Sequence, residues 1–260
     1  MSTYLLVHGG WHGAWCWQRV VPLLREAGHL VIAPDLPGHG DDPTPLAAVT
    51  PGSDVQAVST VLDTLAEPAI LVGHSSGGVV ISAAAELRPR AVRALVYLAA
   101  FLLPPGVTPP MVMRDDTEAI LGSSLVVDEV QRTVSVREEA LKDVFYGDCS
   151  DEDVAWARVR LVPEPLRLPV TTPVALTAEP PAATAEVPRF YIETLRDRAL
   201  GPASQRKMYL AHPCRKIYSL QTSHSPFLSA PRELADCLLD VGENNAWSIS
   251  ISGARAANLE

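Results

Sequence analysis

Apolar positions in the first hundred residues fall in short continuous runs separated by helical repeats. Tyr4–His8 is an apolar run closed by Gly9-Gly10, which predicts a buried strand. Val20, Val21, Leu23 and Leu24 recur at helical spacing, and Gly28 ends that helix. Leu30–Ala33 predicts a second strand, stopped by Pro34-Asp35, and a turn-rich stretch follows from Pro37 to Pro51. Val55, Val58, Val61, Leu62 and Leu65 form the apolar face of a second helix. Ala69–Val72 then predicts a third strand, Val79–Leu87 a helix of small residues, and Ala94–Ala100 a fourth strand. Strands that are apolar throughout, alternating with helices, predict a mostly parallel sheet covered on both faces, an α/β fold.

The pattern breaks at Phe101. From there to Pro188 the chain holds 11 of its 23 prolines, with no clear strand and two acidic helix-like stretches, Val136–Phe145 and Ser150–Arg160. This composition predicts a helical cap inserted into the fold, so residues 1–100 and 189–245 are expected to form the core and 101–188 the cap. The alternation resumes with strand Arg189–Thr194, helix Ser204–Leu210, strand Lys216–Leu220 and helix Pro231–Val241. Residues 246–260 are expected to be a tail outside the fold, and the ending Ala256-Ala257-Asn258-Leu259-Glu260 has the look of an expression-vector scar.

Charge and cysteine usage narrow the function classes. With 21 basic and 30 acidic side chains the net charge is −9, and no window is basic, which argues against a nucleic-acid partner. No apolar stretch approaches the roughly 18 residues of a membrane span, and the N-terminus has no basic segment of a signal peptide. Cys16, Cys149, Cys214 and Cys237 are scattered, with no C-x-x-C pair, so a reducing, cytoplasmic setting is expected. Cys16 and Cys214 read as buried thiols. The partner expected is a small-molecule substrate, and a homodimer is compatible with the sequence.

The chemistry concentrates in Gly73-His74-Ser75-Ser76-Gly77-Gly78, lying between an apolar strand and a helix. A nucleophile elbow has this setting, because its serine sits on a strained turn flanked two residues away by glycines that let strand and helix approach. Ser75 has Gly73 and Gly77 at those positions, whereas Ser76 has His74 before it and fails. A serine hydroxyl needs a base, and in α/β-hydrolase folds the chain order is serine, acid, histidine. Of the histidines after Ser75, His212 precedes the last strand, while His224 follows it and emerges at the edge where Ser75 does. The acid should follow the penultimate strand, which gives Asp197; Glu193 is mid-strand, and Asp115 and Asp116 are further from the strand end before them. The oxyanion hole needs two backbone amides, expected from Ser76 and from Gly10 in the loop His8-Gly9-Gly10-Trp11-His12-Gly13. Gly9 and Trp11 are expected at the substrate, and Trp15 and Trp17 to pack the first helix. His8 and His12 are not on a helix, so no metal pair is expected, and no cofactor is implied. Gly38-His39-Gly40 reads as a structural turn.

With these residues identified, the chain resembles the plant-type methylesterase and hydroxynitrile lyase group of α/β-hydrolases and its bacterial relatives. The similar segments are Val7–Trp15, Gly73–Gly78, Val96–Phe101 and His224-Ser225-Pro226-Phe227. The resemblance implies an α/β-hydrolase fold and a serine esterase, acting through an acyl-enzyme. It also brings alternatives, since the group includes carbon–carbon lyases and ligand-binding members. The lyases of the group share a threonine after the loop histidine and a lysine after the catalytic histidine; here those positions are Gly9 and Ser225. Of the three lysines, Lys207 and Lys216 fall away from the expected site, and only Lys142 in the cap could supply the charge a departing cyanide needs.

Overall fold

In the computed structural model, which describes residues 1–166 and 186–244, the alternating elements assemble into one six-stranded sheet. Its strands are β1 (Thr3–Val7), β2 (Leu30–Ile32), β3 (Ala69–His74), β4 (Val92–Leu98), and, beyond a long insertion, two more. Helices α1 (Val21–Glu26), α2 (Pro51–Asp63) and α3 (Gly77–Leu87) connect the first four. The insertion holds α4 (Pro109–Asp115), β5 (Leu125–Asp128), β6 (Thr133–Val136), α5 (Leu141–Phe145), α6 (Asp151–Arg158) and β7 (Glu164–Pro165). The chain then returns through β8 (Arg189–Thr194), α7 (Pro202–Ala211), β9 (Lys216–Leu220), the short α8 (Pro226–Ser229) and α9 (Pro231–Asn244). The sheet order is β2-β1-β3-β4-β8-β9, and every neighbouring pair is parallel.

Period-two alternation explains why these strands are apolar throughout. Tyr4 and Leu6 pack in the core on one face of the sheet with Ile70, Val72 and Phe190, while Leu5 and Val7 pack on the other with Leu71, Tyr97 and Tyr191. Helix α2 begins with a reciprocal cap: Thr50 Oγ1 accepts from the Ser53 amide at 3.1 Å and Ser53 Oγ accepts from the Thr50 amide at 2.9 Å, worth about 1 kcal/mol. Trp17 is fully buried beside α8 and α9, as expected for a residue packing the first helix.

The insertion departs from the sequence expectation. It carries a three-stranded antiparallel sheet, β5-β6-β7, where no strand was expected. Residues 136–145 are not one helix: Val136 ends β6, Glu138–Ala140 form a 3-10 turn, and only Leu141–Phe145 is α-helical. The strands are short and partly solvent-facing, so their apolar residues never form a buried run; Val126, Val127 and Val130 are exposed. The Cys214 thiol is half-buried rather than buried, whereas Cys16 is fully enclosed. No helix among the described residues is long and apolar enough to cross a membrane. The expected tail, 246–260, lies outside the described residues.

Candidate active site

The loop after β1, Ser75, Asp197 and His224 all emerge at the carboxyl edge of the sheet, where ligands gather in parallel α/β folds. The His8–Gly13 loop follows β1, Ser75 follows β3, Asp197 lies three residues past β8 and His224 four past β9. Ser75 has φ +53°, in the left-handed region that a side chain adopts at a cost. The residues two positions before and after it are glycines by necessity. A Cβ on Gly73 would stand 2.6 Å from the Gly77 carbonyl oxygen, and one on Gly77 2.7 Å from that of His8. A Cβ on Gly9 would stand 2.7 Å from Ser75 Cβ, so a larger residue there would press on the hydroxyl-bearing carbon.

His224 and Asp197 are both buried, and His224 Nδ1 donates to Asp197 Oδ2 at 2.7 Å. The carboxylate is held by four further donors: Thr194 Oγ1 and Gln205 Nε2 on Oδ2, and the Ala199 and Leu200 amides on Oδ1 at 2.8 and 2.9 Å. Gln205 is a partner sequence reasoning missed, since only the fold brings α7 against the β8 end. The rival carboxylates are engaged elsewhere: Glu193 with Arg206, Tyr209 and Ser219, Asp115 with Arg114, and Asp116 with the Gly201 amide. His74, preceding Ser75, packs its ring 4.5 Å from that of His224 and donates from Nε2 to the His224 carbonyl at 2.9 Å. His212 ends α7 at the opposite edge.

The loop after β1 is fixed by its own histidines. His8 Nδ1 donates to the Gly9 carbonyl at 2.8 Å while its Nε2 accepts from the Leu36 amide at 3.0 Å. His12 Nδ1 donates to the Gly10 carbonyl at 2.7 Å while its Nε2 accepts from the Tyr146 hydroxyl at 2.9 Å. The carbonyl of each peptide group flanking Gly10 is therefore held by a histidine, and Gly10 lies beside Ser76, whose Oγ would be 3.6 Å from a Cβ on Gly10. The Ser76 residue caps α3, where helix amides lack intrahelical partners and the helix dipole favours negative charge. No group of three or more metal-ligating side chains exists among the described residues.

Three of these histidines are uncharged. Burial lowers His8 to about 4 and His12 to about 3, and pushes His74 well below the ordinary value. In the unfolded chain all three take up protons near pH 6.5. Unfolding therefore binds protons, and stability falls as pH drops below about 6.5, by up to about 1.4 kcal/mol per pH unit for each residue and about 4 for the three. Urea unfolding should give a midpoint that is level from pH 7 to 8 and drops steeply between pH 6 and 5. A level midpoint down to pH 5 would show that these imidazoles are not buried neutral.

A cavity of about 390 Å³ opens over Ser75. Its walls include Gly9, Gly10, Trp11 and Ser76 from the core and Met113, Leu125, Val134 and Glu164 from the insertion. His39, read from sequence as part of a structural turn, also lines it, and its Nε2 donates to Glu164 Oε1 at 2.8 Å. His39 Nδ1 faces the Pro37 carbonyl at 3.1 Å. Both ring nitrogens thus meet acceptors, which only the imidazolium satisfies. Burial by itself would lower this imidazole, but the hydrogen bond and charge of Glu164 outweigh it and hold His39 above its ordinary value. Trp11, with φ +61°, presents its backbone to the insertion.

The sequence profile described as the alpha/beta hydrolase family matches residues 4–237. The pyrethroid hydrolase of Sphingobium wenxiniae is 34% identical over 253 residues, covering 94% of this chain and 88% of that protein. Putative methylesterase 11, chloroplastic, of Arabidopsis thaliana is 32% identical over 256 residues; this chain spans 64% of its length and 92% of its own. Among solved structures, a pyrethroid hydrolase from Sphingobium faniae superposes with a TM-score of 0.81 at 33% identity, covering 93% of this chain and 97% of that one.

Proposed function

The chain belongs to the alpha/beta hydrolase family, and from that premise we propose that it is a carboxylic ester hydrolase whose nucleophile is Ser75. The observation that carries the reading is the buried Asp197–His224 hydrogen bond at the same sheet edge as a serine held at positive φ beneath an apolar cavity. In this mechanism Ser75 Oγ attacks the acyl carbon and His224 Nε2 takes its proton. The amides of Gly10 and Ser76 hold the developing oxyanion. His224 then protonates the departing alcohol, leaving an acyl-enzyme, and activates the water that hydrolyses it. Asp197 fixes the tautomer that makes this possible.

The described part of the insertion acts as a cap over this site. The aliphatic walls contributed by Met113, Leu125 and Val134 suit an apolar acyl or alcohol group. The names of the relatives, methylesterase and pyrethroid hydrolase, support ester substrates. The four free thiols accord with a cytoplasmic setting.

Lyase chemistry on the same triad needs a cation for the departing anion. Lys142 pairs with Asp151 and Lys216 with Asp240, and Lys207 lines a separate cavity between α4 and α7. None of the three lines the cavity over Ser75, the His39 imidazolium in its wall is already paired with Glu164, and the residue after His224 is the neutral Ser225. Small p-nitrophenyl and methyl esters should therefore turn over, and mandelonitrile should not. The assay uses one preparation with Ser75→Ala as blank. Cyanide release faster than ester hydrolysis, and dependent on Ser75, would replace hydrolysis by lyase chemistry. Stoichiometric ligand binding with no turnover of either class would indicate a binding protein.

A further inference from the structure

Trp11 follows the oxyanion donor Gly10, and the cap grips it on three sides. Its backbone amide donates to Glu164 Oε1 at 2.9 Å, its carbonyl accepts from the Val162 amide at 3.0 Å, and its indole Nε1 donates to the Val134 carbonyl at 2.9 Å. Glu164 and Val134 are register partners in the β6–β7 pair, so all three bonds come from one small piece of cap. Glu164 is the only side chain among these partners. A Cβ on Gly10 would stand 3.1 Å from its Oε1, which puts the carboxylate against the turn that carries the donor.

Taken alone, a carboxylate there is costly. It lies beside the place where negative charge develops during acyl transfer, and Coulomb repulsion across a few ångströms in a partly dry cavity opposes the reaction. A carboxylate in that place calls for a compensating partner, and the surroundings supply one. His39 meets the same oxygen, Oε1, and its two nitrogens both face acceptors, so a cation neutralises the carboxylate. The pair also links three segments: the loop after β1, the turn after β2 and the cap strand β7. Trp11 itself has positive φ, a conformation that reverts unless neighbours hold it.

We propose that Glu164 is a positioning residue for the oxyanion hole: through the Trp11 amide it holds the Gly10–Trp11 peptide, so that the aim of the Gly10 amide depends on the seating of the cap. Histidines of the core pin the two carbonyls of the same turn, Gly9 by His8 and Gly10 by His12. Glu164 supplies the remaining restraint, and it comes from the segment that forms the substrate wall. Substrate that seats the cap well would thereby also tighten the donor, coupling recognition to rate.

The inference rests on the ester-hydrolase reading, and the test separates the two. Glu164→Gln keeps an oxygen at the same reach and should retain kcat within about threefold. Glu164→Asp keeps the charge but is one methylene short of the Trp11 amide. Glu164→Leu removes the acceptor. Both should lower kcat by about tenfold to a hundredfold, the scale of a misaimed donor, with KM changed by less than about threefold. Burst titration with a fluorophosphonate should still label one serine per chain in every variant, only more slowly in Asp and Leu. A purely structural role would lower the melting temperature and leave kcat of the folded fraction untouched. Wild-type kcat in both Glu164→Asp and Glu164→Leu overturns the proposal, as does a loss confined to KM. If Glu164→Leu does not fold, the Asp and Gln pair decides alone. Failure of the wild type to label or hydrolyse would instead sink the ester-hydrolase reading itself.

Discussion

Ser75→Ala is expected to lower kcat for ester hydrolysis by about 10⁴ to 10⁶ and to abolish covalent labelling by a fluorophosphonate. The backbone dictates both effects. Ser75 is held at φ +53° by the Leu98 carbonyl accepting from its amide and by the Gly78 and Phe101 amides donating to its own carbonyl. These bonds do not involve the hydroxyl, so removing it leaves the elbow in place. The variant should therefore fold and bind substrate with nearly unchanged KM, and melt within a few degrees of the wild type. Ser76→Ala is the control. The contribution expected of Ser76 is a backbone amide, which alanine also has, so labelling should persist. Labelling that survived in Ser75→Ala and vanished in Ser76→Ala would relocate the nucleophile.

Asp197→Asn is expected to cut kcat by up to about 10⁴ with the fold intact. The hydrogen-bond set around Asp197 determines how the asparagine must sit. Two backbone amides, Ala199 and Leu200, point at Oδ1 and cannot turn around, so the amide oxygen of asparagine takes that place. The NH₂ group then replaces Oδ2 and faces His224 Nδ1, Thr194 Oγ1 and Gln205 Nε2. Threonine can rotate its hydroxyl to accept. His224 can accept only as the tautomer with its proton on Nε2, which is the nitrogen that must receive the serine proton. The loss should thus appear in kcat, with phosphonylation slowed in parallel. Undiminished turnover in Asp197→Asn would mean that another acid orients the base.

The β1, β3, β4 and β8 strands and the helices between them were legible because burial on both faces of a parallel sheet demands apolar runs, and such runs stand out in a sequence. The edge strand β9, largely exposed, was legible from its place in the strand–helix alternation. Arg189–Thr194 and Lys216–Leu220 match to the residue. Ser75 and the loop after β1 were legible for a related reason: strained turns need glycines at fixed offsets. The insertion was not. Its strands β5 and β6 have one face in solvent and contain Asp128, Thr133 and Ser135 among the valines, so no run marks them. Nor was the His39–Glu164 pair, which joins residues 125 apart. A histidine in a Gly-x-Gly turn and a glutamate between two prolines each read as ordinary surface chemistry until the fold brings them together.

The place where the insertion joins the sheet has an evolutionary consequence. It leaves from β4 and returns at β8, which are adjacent strands, with Leu95 beside Arg189. The two strands are parallel, so the segment must cross from the carboxyl end of β4 to the amino end of β8. Beyond the length that crossing needs, doubling it would add only about 0.6 kcal/mol of closure entropy. Above that minimum the sheet places little constraint on the length of the segment. The substrate wall can therefore be exchanged by insertion, deletion or replacement while Ser75, Asp197 and His224 keep their places past the carboxyl ends of β3, β8 and β9. One local contact marks the limit of that freedom: in this chain the segment gives Trp11 a carboxylate oxygen, a backbone carbonyl and a backbone amide, and a replacement wall would have to supply equivalents to hold the same turn.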